Sequence, residues 1–458
     1  MQIKHRVSAY LAERRGQPEQ LPQSPIDWVT HPVHRFIKIE SAAGFILLFF
    51  TVSALFLANS PLSKDFSEVW QVPLGIRIGS FNVEHTLHSW INDAVMTLFF
   101  FLIALELKRE LVLGELRNAK LAMLSVSGAV GGMVVPACIY LSFGLEGSAQ
   151  HGWGTVMATD TAFVIGCLAL FGKRLPKSLR VFMLSLAIVD DLGAIIVVAL
   201  GYGEGIDLLF IGFAIAGFIF VRLMSLLGIR SLLLFFVIGA CLWVLVDASG
   251  IHPTVTGVVL GLMTPTTRWV TDERLHDILA SVWTDSAKSG EIHSPHHSTL
   301  LHTMEAAARE ALSPVERLEH ILHPWVGFVV MPLFAFSNAG IPIELSDMSI
   351  AIVGAVFLGF IIGKPVGICV FIWLALRAGL AERPPDLSWG LLIASGMLAG
   401  IGFTMAIFIA NLAFSPNDLN AAKLGILSAS LFSSVVGTAL LLFAIKKNTV
   451  PVTPSVLN

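Results

Sequence analysis

The chain has 458 residues, 55% hydrophobic and 13% charged, with a formal net charge of −3 and a mean hydropathy of +0.78. A soluble domain carries about 25% charged residues, so these values exclude a soluble globular protein and describe a polytopic membrane protein. No basic stripe suggests nucleic acid, and the partner implied is the lipid bilayer.

Residues 1–40 are polar, of mixed charge, and lack the apolar core and cleavage site of a signal peptide. They are expected to form a segment inside the cell ahead of a first span that stays in place. Twelve apolar runs follow, at 41–59, 89–107, 121–143, 153–172, 179–201, 206–227, 231–248, 251–265, 323–342, 349–376, 388–413 and 421–445. The eighth is too short to cross as a straight helix at 1.5 Å per residue. With the N-terminus inside, 25 of the 29 Lys and Arg fall on the inside, and Lys64, Arg77 and Lys423 on the outside. Lys364 lies within a span. This asymmetry predicts an even number of spans and both termini cytoplasmic. The expected organisation is a cytoplasmic segment 1–40, a transporter domain 41–446 and a cytoplasmic tail 447–458. Cys138, Cys167, Cys241 and Cys369 all lie in apolar runs and read as small core hydrophobes.

Three connections stand out. Residues 72–86 alternate around Gly79-Ser80, which predicts an extracytoplasmic β-hairpin whose exposed edge suits subunit pairing. The inside loop 266–322 carries a histidine patch (His293, His296, His297, His302) in a Ser- and Pro-rich context without cysteine, and reads as a solvated insert. The run Arg317-Leu318-Glu319-His320-Ile321-Leu322-His323-Pro324-Trp325 places two histidines i, i+3 beside Glu319 at the start of the ninth span. Histidine changes charge in the physiological range, so a proton-sensing role competes there with an interfacial anchor.

The polar groups inside the spans carry the chemistry. Asp190 and Asp191 sit adjacent in the middle of Leu186–Ile196. A single acidic side chain at mid-membrane costs roughly 2.5–3.5 kcal/mol on insertion scales, so this pair requires a positive partner, a proton or a cation. Asp160 lies mid-span in Ala158-Thr159-Asp160-Thr161. Lys364 lies in Gly363-Lys364-Pro365-Val366-Gly367, too deep to reach water easily, and needs an anionic partner. Neighbouring residues project about 100° apart around a helix, so one of Asp190 and Asp191 faces the lysine while the other faces an ion. Asp93, Glu106 and Asp247 lie near span ends and read as ordinary. Gly396, Gly400 and Gly402 cross the middle of the eleventh run and fit either close helix packing or an interrupted helix. Spans three to five and ten to twelve form triplets whose central member carries the polar or Gly-rich stretch. An offset of seven spans would invert one triplet relative to the other.

Together these stretches resemble the NhaA-type sodium/proton antiporters. The matching residues are Trp90-Ile91-Asn92-Asp93-Ala94, Leu105-Glu106-Leu107-Lys108-Arg109-Glu110-Leu111, Ala158-Thr159-Asp160, Ala187–Ala194, Arg317–Trp325, Ile362-Gly363-Lys364-Pro365 and Gly400-Ile401-Gly402-Phe403-Thr404-Met405, in one order from about residue 36 to 446. Inverted repeats are a known property of such transporters, so the triplets add no independent support. The resemblance implies an all-α polytopic membrane protein of about twelve transmembrane helices with an inverted-topology repeat. It further implies two interrupted, crossed helices in spans four and eleven, and a homodimer assembled partly through the hairpin 72–86. It implies a cation and proton site at Asp160 and Asp191 (Na+ ligands) with Thr159 nearby, and an Asp190–Lys364 pair. Glu106, Arg109, Glu319, His320 and His323 would form a cytoplasmic pH-responsive region. The implied activity is export of Na+ or Li+ in exchange for H+ across the bacterial inner membrane, without enzymatic chemistry or cofactor. Two departures from the family pattern are the long loop 266–315 and Val156, where some relatives have proline.

Two other classes compete. Intramembrane aspartyl proteolysis needs carboxylates facing each other from two helices, and the Gly-x-Gly-Asp motif of such proteases is missing. A passive cation channel would carry Lys364 in its pathway, where it repels the ion.

Overall fold

The computed structural model describes residues 40–78, 81–114, 119–202, 205, 207–229, 231–268, 270–271, 273–278, 302, 305–307, 310–342 and 349–448. The segment 1–39, the turn Gly79-Ser80, the patch His293, His296 and His297, and the tail from 449 lie outside the described residues. The chain opens with α1 (Glu40–Ala58), which bends by 117° into the short α2 (Ser63–Trp70). β1 (Pro73–Ile78) and β2 (Phe81–Thr86) then pair antiparallel with Ile78 opposite Phe81, the hairpin that the alternation predicts.

Thr86 accepts the N–H of Ser89 and so caps α3 (Leu87–Val112). α4 (Ala119–Ser142) follows. The fourth apolar run is a 3₁₀ segment, Gly147–Met157, then extended backbone, then α5 (Thr161–Ala169). Next come α6 (Lys177–Gly201), α7 (Leu208–Leu226), α8 (Leu232–Ala248) and the nine-residue α9 (Val255–Met263). α10 (Pro314–Asn338) starts nine residues ahead of the apolar run, because Ser313 and Glu316 form a reciprocal capping box with Pro314 in the first turn. α11 (Ile350–Arg377) widens to a π turn at Gly359–Gly363, just ahead of Pro365, whose ring nitrogen has no hydrogen for the α register. α12 (Trp389–Ala399), α13 (Phe403–Ala413) and α14 (Pro416–Asn448) complete the chain.

Each of the twelve apolar runs carries helix, but among the described residues eight helices are long and apolar enough to cross a membrane, or ten when each bent pair counts as one span. α8 and α9 fall short by length. Large apolar side chains such as Phe49, Phe56, Leu208, Leu233 and Ile350 point outward, the surface a bilayer requires. Cys138 and Cys241 lie on that outer surface, which corrects their reading as core residues, while Cys167 is buried. Inside, α4 and α11 approach so closely that a Cβ on Gly131 would stand 2.1 Å from the carbonyl oxygen of Gly367. This contact carries Lys364, one turn before Gly367, into the interior.

Candidate functional site

The two interrupted runs meet at their interruptions. Met157 ends the 3₁₀ segment, and Ala158 and Asp160 are extended before α5 begins. α12 stops at Ala399 and α13 resumes at Phe403, bent by 46° across Gly400-Ile401-Gly402. Interrupted helices leave backbone donors and acceptors without partners, and here each break supplies the other. Asp160 N–H donates to Ile401 O at 2.7 Å, and the Thr159 hydroxyl lies 3.0 Å from Ala399 O. The interrupted-helix reading of the glycines is therefore the one the structure adopts.

Asp160 is fully buried. Its Oδ1 accepts the N–H of Phe163 at 3.0 Å, capping α5. Its Oδ2 accepts the N–H of Thr404 at 3.0 Å and the Thr404 hydroxyl at 2.5 Å, at the start of α13. Its charge thus rests on the positive ends of two helices.

α6 brings the other two carboxylates. Asp190 Oδ2 accepts Lys364 Nζ at 2.6 Å and the Thr159 hydroxyl at 2.5 Å. Lys364 also donates to Thr159 Oγ1 at 2.9 Å and to the carbonyl of Met157, freed where the 3₁₀ segment ends. Asp191, one step round the helix, turns from the lysine and accepts the Thr161 hydroxyl at 2.9 Å through Oδ2. Asp190 Oδ1 and Asp191 Oδ1 are buried with no hydrogen-bond partner. Of the three buried carboxylates Asp190 alone holds the Lys364 ammonium, and two carboxylate oxygens, on Asp190 and Asp191, stand without a donor. Stripping a charge of water costs several kcal/mol, so the cluster is suited to taking up protons or small hard cations, which prefer oxygen ligands.

The structure joins Asp160, Asp190, Thr159 and Lys364 through their hydrogen bonds and the two breaks, with Asp191 next along α6. Sequence reasoning missed Thr161, Thr404 and the Met157 carbonyl as members of the site. Thr161 follows Asp160 and Thr404 stands two residues after Gly402, in runs already singled out, which is the signal that was there to read.

A second polar region lies at the α3–α10 contact. Arg109 donates to Glu319 and, at 3.1 Å, to Glu110, and Glu106 lies one turn before Glu110 on α3. His320 and His323 are exposed on α10. Asp93 and Asp247, two of the three carboxylates that read as ordinary near span ends, also have partners. Asp93 lies 3.6 Å from His252, and Asp247 lies 3.2 Å from His85 of β2. Lys423, read as an outside residue, is buried in α14.

Residues 34–441 match the sequence profile of the family described as Na+/H+ antiporter 1. The chain is 55% identical over 426 residues to a protein of Vibrio vulnificus named Na(+)/H(+) antiporter NhaA 2, covering 91% of this chain and 94% of the relative. It is 53% identical over 418 residues to the Na(+)/H(+) antiporter NhaA of Rhizobium meliloti, covering 91% and 96%. For the protein of that name from Rhodopirellula baltica the figure is 43% over 429 residues, covering 94% and 98%.

Proposed function

The chain belongs to the Na+/H+ antiporter 1 family, and on that premise we propose that it exports Na+ or Li+ across the bacterial cytoplasmic membrane in exchange for protons, under control of pH. The observation that carries this reading is the buried cluster of Asp160, Asp190 and Asp191 against the single ammonium of Lys364, with unpartnered carboxylate oxygens on Asp190 and Asp191.

In this reading Asp160 and Asp191 exchange their protons for the cation, with the Thr161 and Thr404 hydroxyls as flanking oxygens. A carboxylate oxygen that holds a proton has little charge left for sodium, so the two ions exclude each other and their fluxes are coupled. Lys364 offsets Asp190 and keeps that carboxylate out of the competition. The carrier alternates between inward- and outward-open states around this fixed cluster, with α4–α6 and α11–α14 as the inverted repeats and the two breaks crossing at its centre. We take the apolar runs as twelve spans, α8 and α9 included, with both termini cytoplasmic. The hairpin pairs two copies of the chain, and Arg109, Glu106, Glu319, His320 and His323 report cytoplasmic pH. Such exchange needs no cofactor.

The test is proton movement in everted vesicles prepared from cells lacking other sodium antiporters. Added Na+ or Li+ should collapse a preformed pH gradient, and choline should not. Sodium flux that continues when no proton counterflow is possible would indicate a channel and reject the reading.

A further inference from the structure

The start of α13 is buried, and the residue before it is glycine, which has no side chain to cap the free N–H groups. The glycine is required there: a Cβ on Gly402 would come within 2.4 Å of the Phe360 ring. The cap must therefore come from elsewhere in the fold. Thr404 N–H finds Asp160, as described, and Phe403 N–H donates to the hydroxyl of Ser430 on α14 at 3.1 Å. Ser430 is 7% exposed. One turn along α14, Ser433 is fully buried as well, and its hydroxyl has no hydrogen-bond partner. It faces the same break, since a Cβ on Gly400 would stand 2.6 Å from its Oγ.

Resting on the reading of Asp160 as an ion-carrying carboxylate, we propose that Ser430 is a positioning residue for the ion site. It caps α13 with a neutral oxygen whether Asp160 holds a proton, a cation or neither. Two adjacent donors at the helix start are thereby divided between a fixed acceptor and the working carboxylate. Without the Ser430 hydroxyl, Phe403 N–H is left buried and unpaired, and buried backbone donors do not stay unpaired. The acceptor already bound to the next residue is Asp160. Drawn further into the helix start, that carboxylate has less of its charge to offer a cation.

The experiment compares four variants reconstituted in liposomes, with Na+-dependent exchange and the Na+-induced rise in melting temperature as readouts. Ser430→Ala should raise the apparent KM for Na+ about five- to tenfold, the effect of one ordinary neutral hydrogen bond, with the maximal rate retained. Its Na+-induced thermal shift should shrink in step. Ser430→Thr, which keeps the hydroxyl, should restore both. Ser433→Ala removes a still more deeply buried hydroxyl from the same helix and should leave both at the wild-type value. Should Ser430→Ala fail to reach the membrane, Ser430→Cys keeps the volume, weakens the acceptor and is read in the same way. A wild-type KM and thermal shift in the Ser430 variant would overturn the proposal, as would an equal rise of KM in Ser433→Ala. Absence of exchange in the unsubstituted protein would strike the functional reading instead. The thermal comparison of the two serines with Na+ would still decide the positioning role.

Discussion

Asp160 and Thr404 lie 244 residues apart in the chain and are joined twice through a single oxygen. Asp160 Oδ2 takes both the backbone N–H and the hydroxyl of Thr404, while Oδ1 holds the start of α5 through Phe163. One carboxylate thus ties two half-helices together, and any change in its charge is felt at both. Asp160→Asn keeps the shape but sets an NH2 group against one of those donors. We expect loss of about 1 kcal/mol of stability, the usual worth of a cap, and exchange at background in vesicles. Exchange at the wild-type rate would remove Asp160 from the site.

Asp191 is held more loosely, by the Thr161 hydroxyl alone, with Oδ1 unpartnered. Asp191→Asn should therefore fold, insert and melt like the parent while exchange disappears. Membrane levels and melting in detergent, measured beside Na+-driven proton movement, check this. The assignment fails if the variant still exchanges.

Lys364 and Asp190 form a pair 1% and 3% exposed. Removing one member of a buried pair costs about 3–5 kcal/mol, whereas removing both can be nearly neutral. Lys364→Ala should accordingly destabilise strongly. The double change Lys364→Gln with Asp190→Asn should recover most of that stability and retain exchange if the lysine is structural. If the lysine carries a proton, exchange in the double variant loses its electrogenic character. Unchanged melting and charge movement in Lys364→Ala would contradict the pairing.

His320 and His323 are exposed on α10, and replacing them tests the sensing role. In His320→Ala with His323→Ala, the activation profile should move along the pH axis with little loss of maximal rate. An unshifted profile would make both residues interfacial anchors. Arg109→Ala, which breaks the contacts to Glu319 and Glu110, should move the same profile and also lower the melting temperature.

What the sequence determined by itself follows from local physics. Adjacent aspartates in an apolar run, a lysine beside a proline and a hairpin alternation are all readable because helix and strand periodicity act over a few residues. The 100° step between Asp190 and Asp191 already turns them in different directions. The tertiary structure decided the partners. Lys364 reaches Asp190 across 174 residues, and the break at Ala158–Asp160 is stabilised by carbonyls of a break more than 230 residues later. Whether the glycines of the eleventh run pack a helix or interrupt it could not be read locally, since glycine serves both. It is settled by the acceptors that Asp160 and Ser430 bring to the start of α13. A broken helix in an apolar interior exists only where distant side chains take up the backbone groups it sets free.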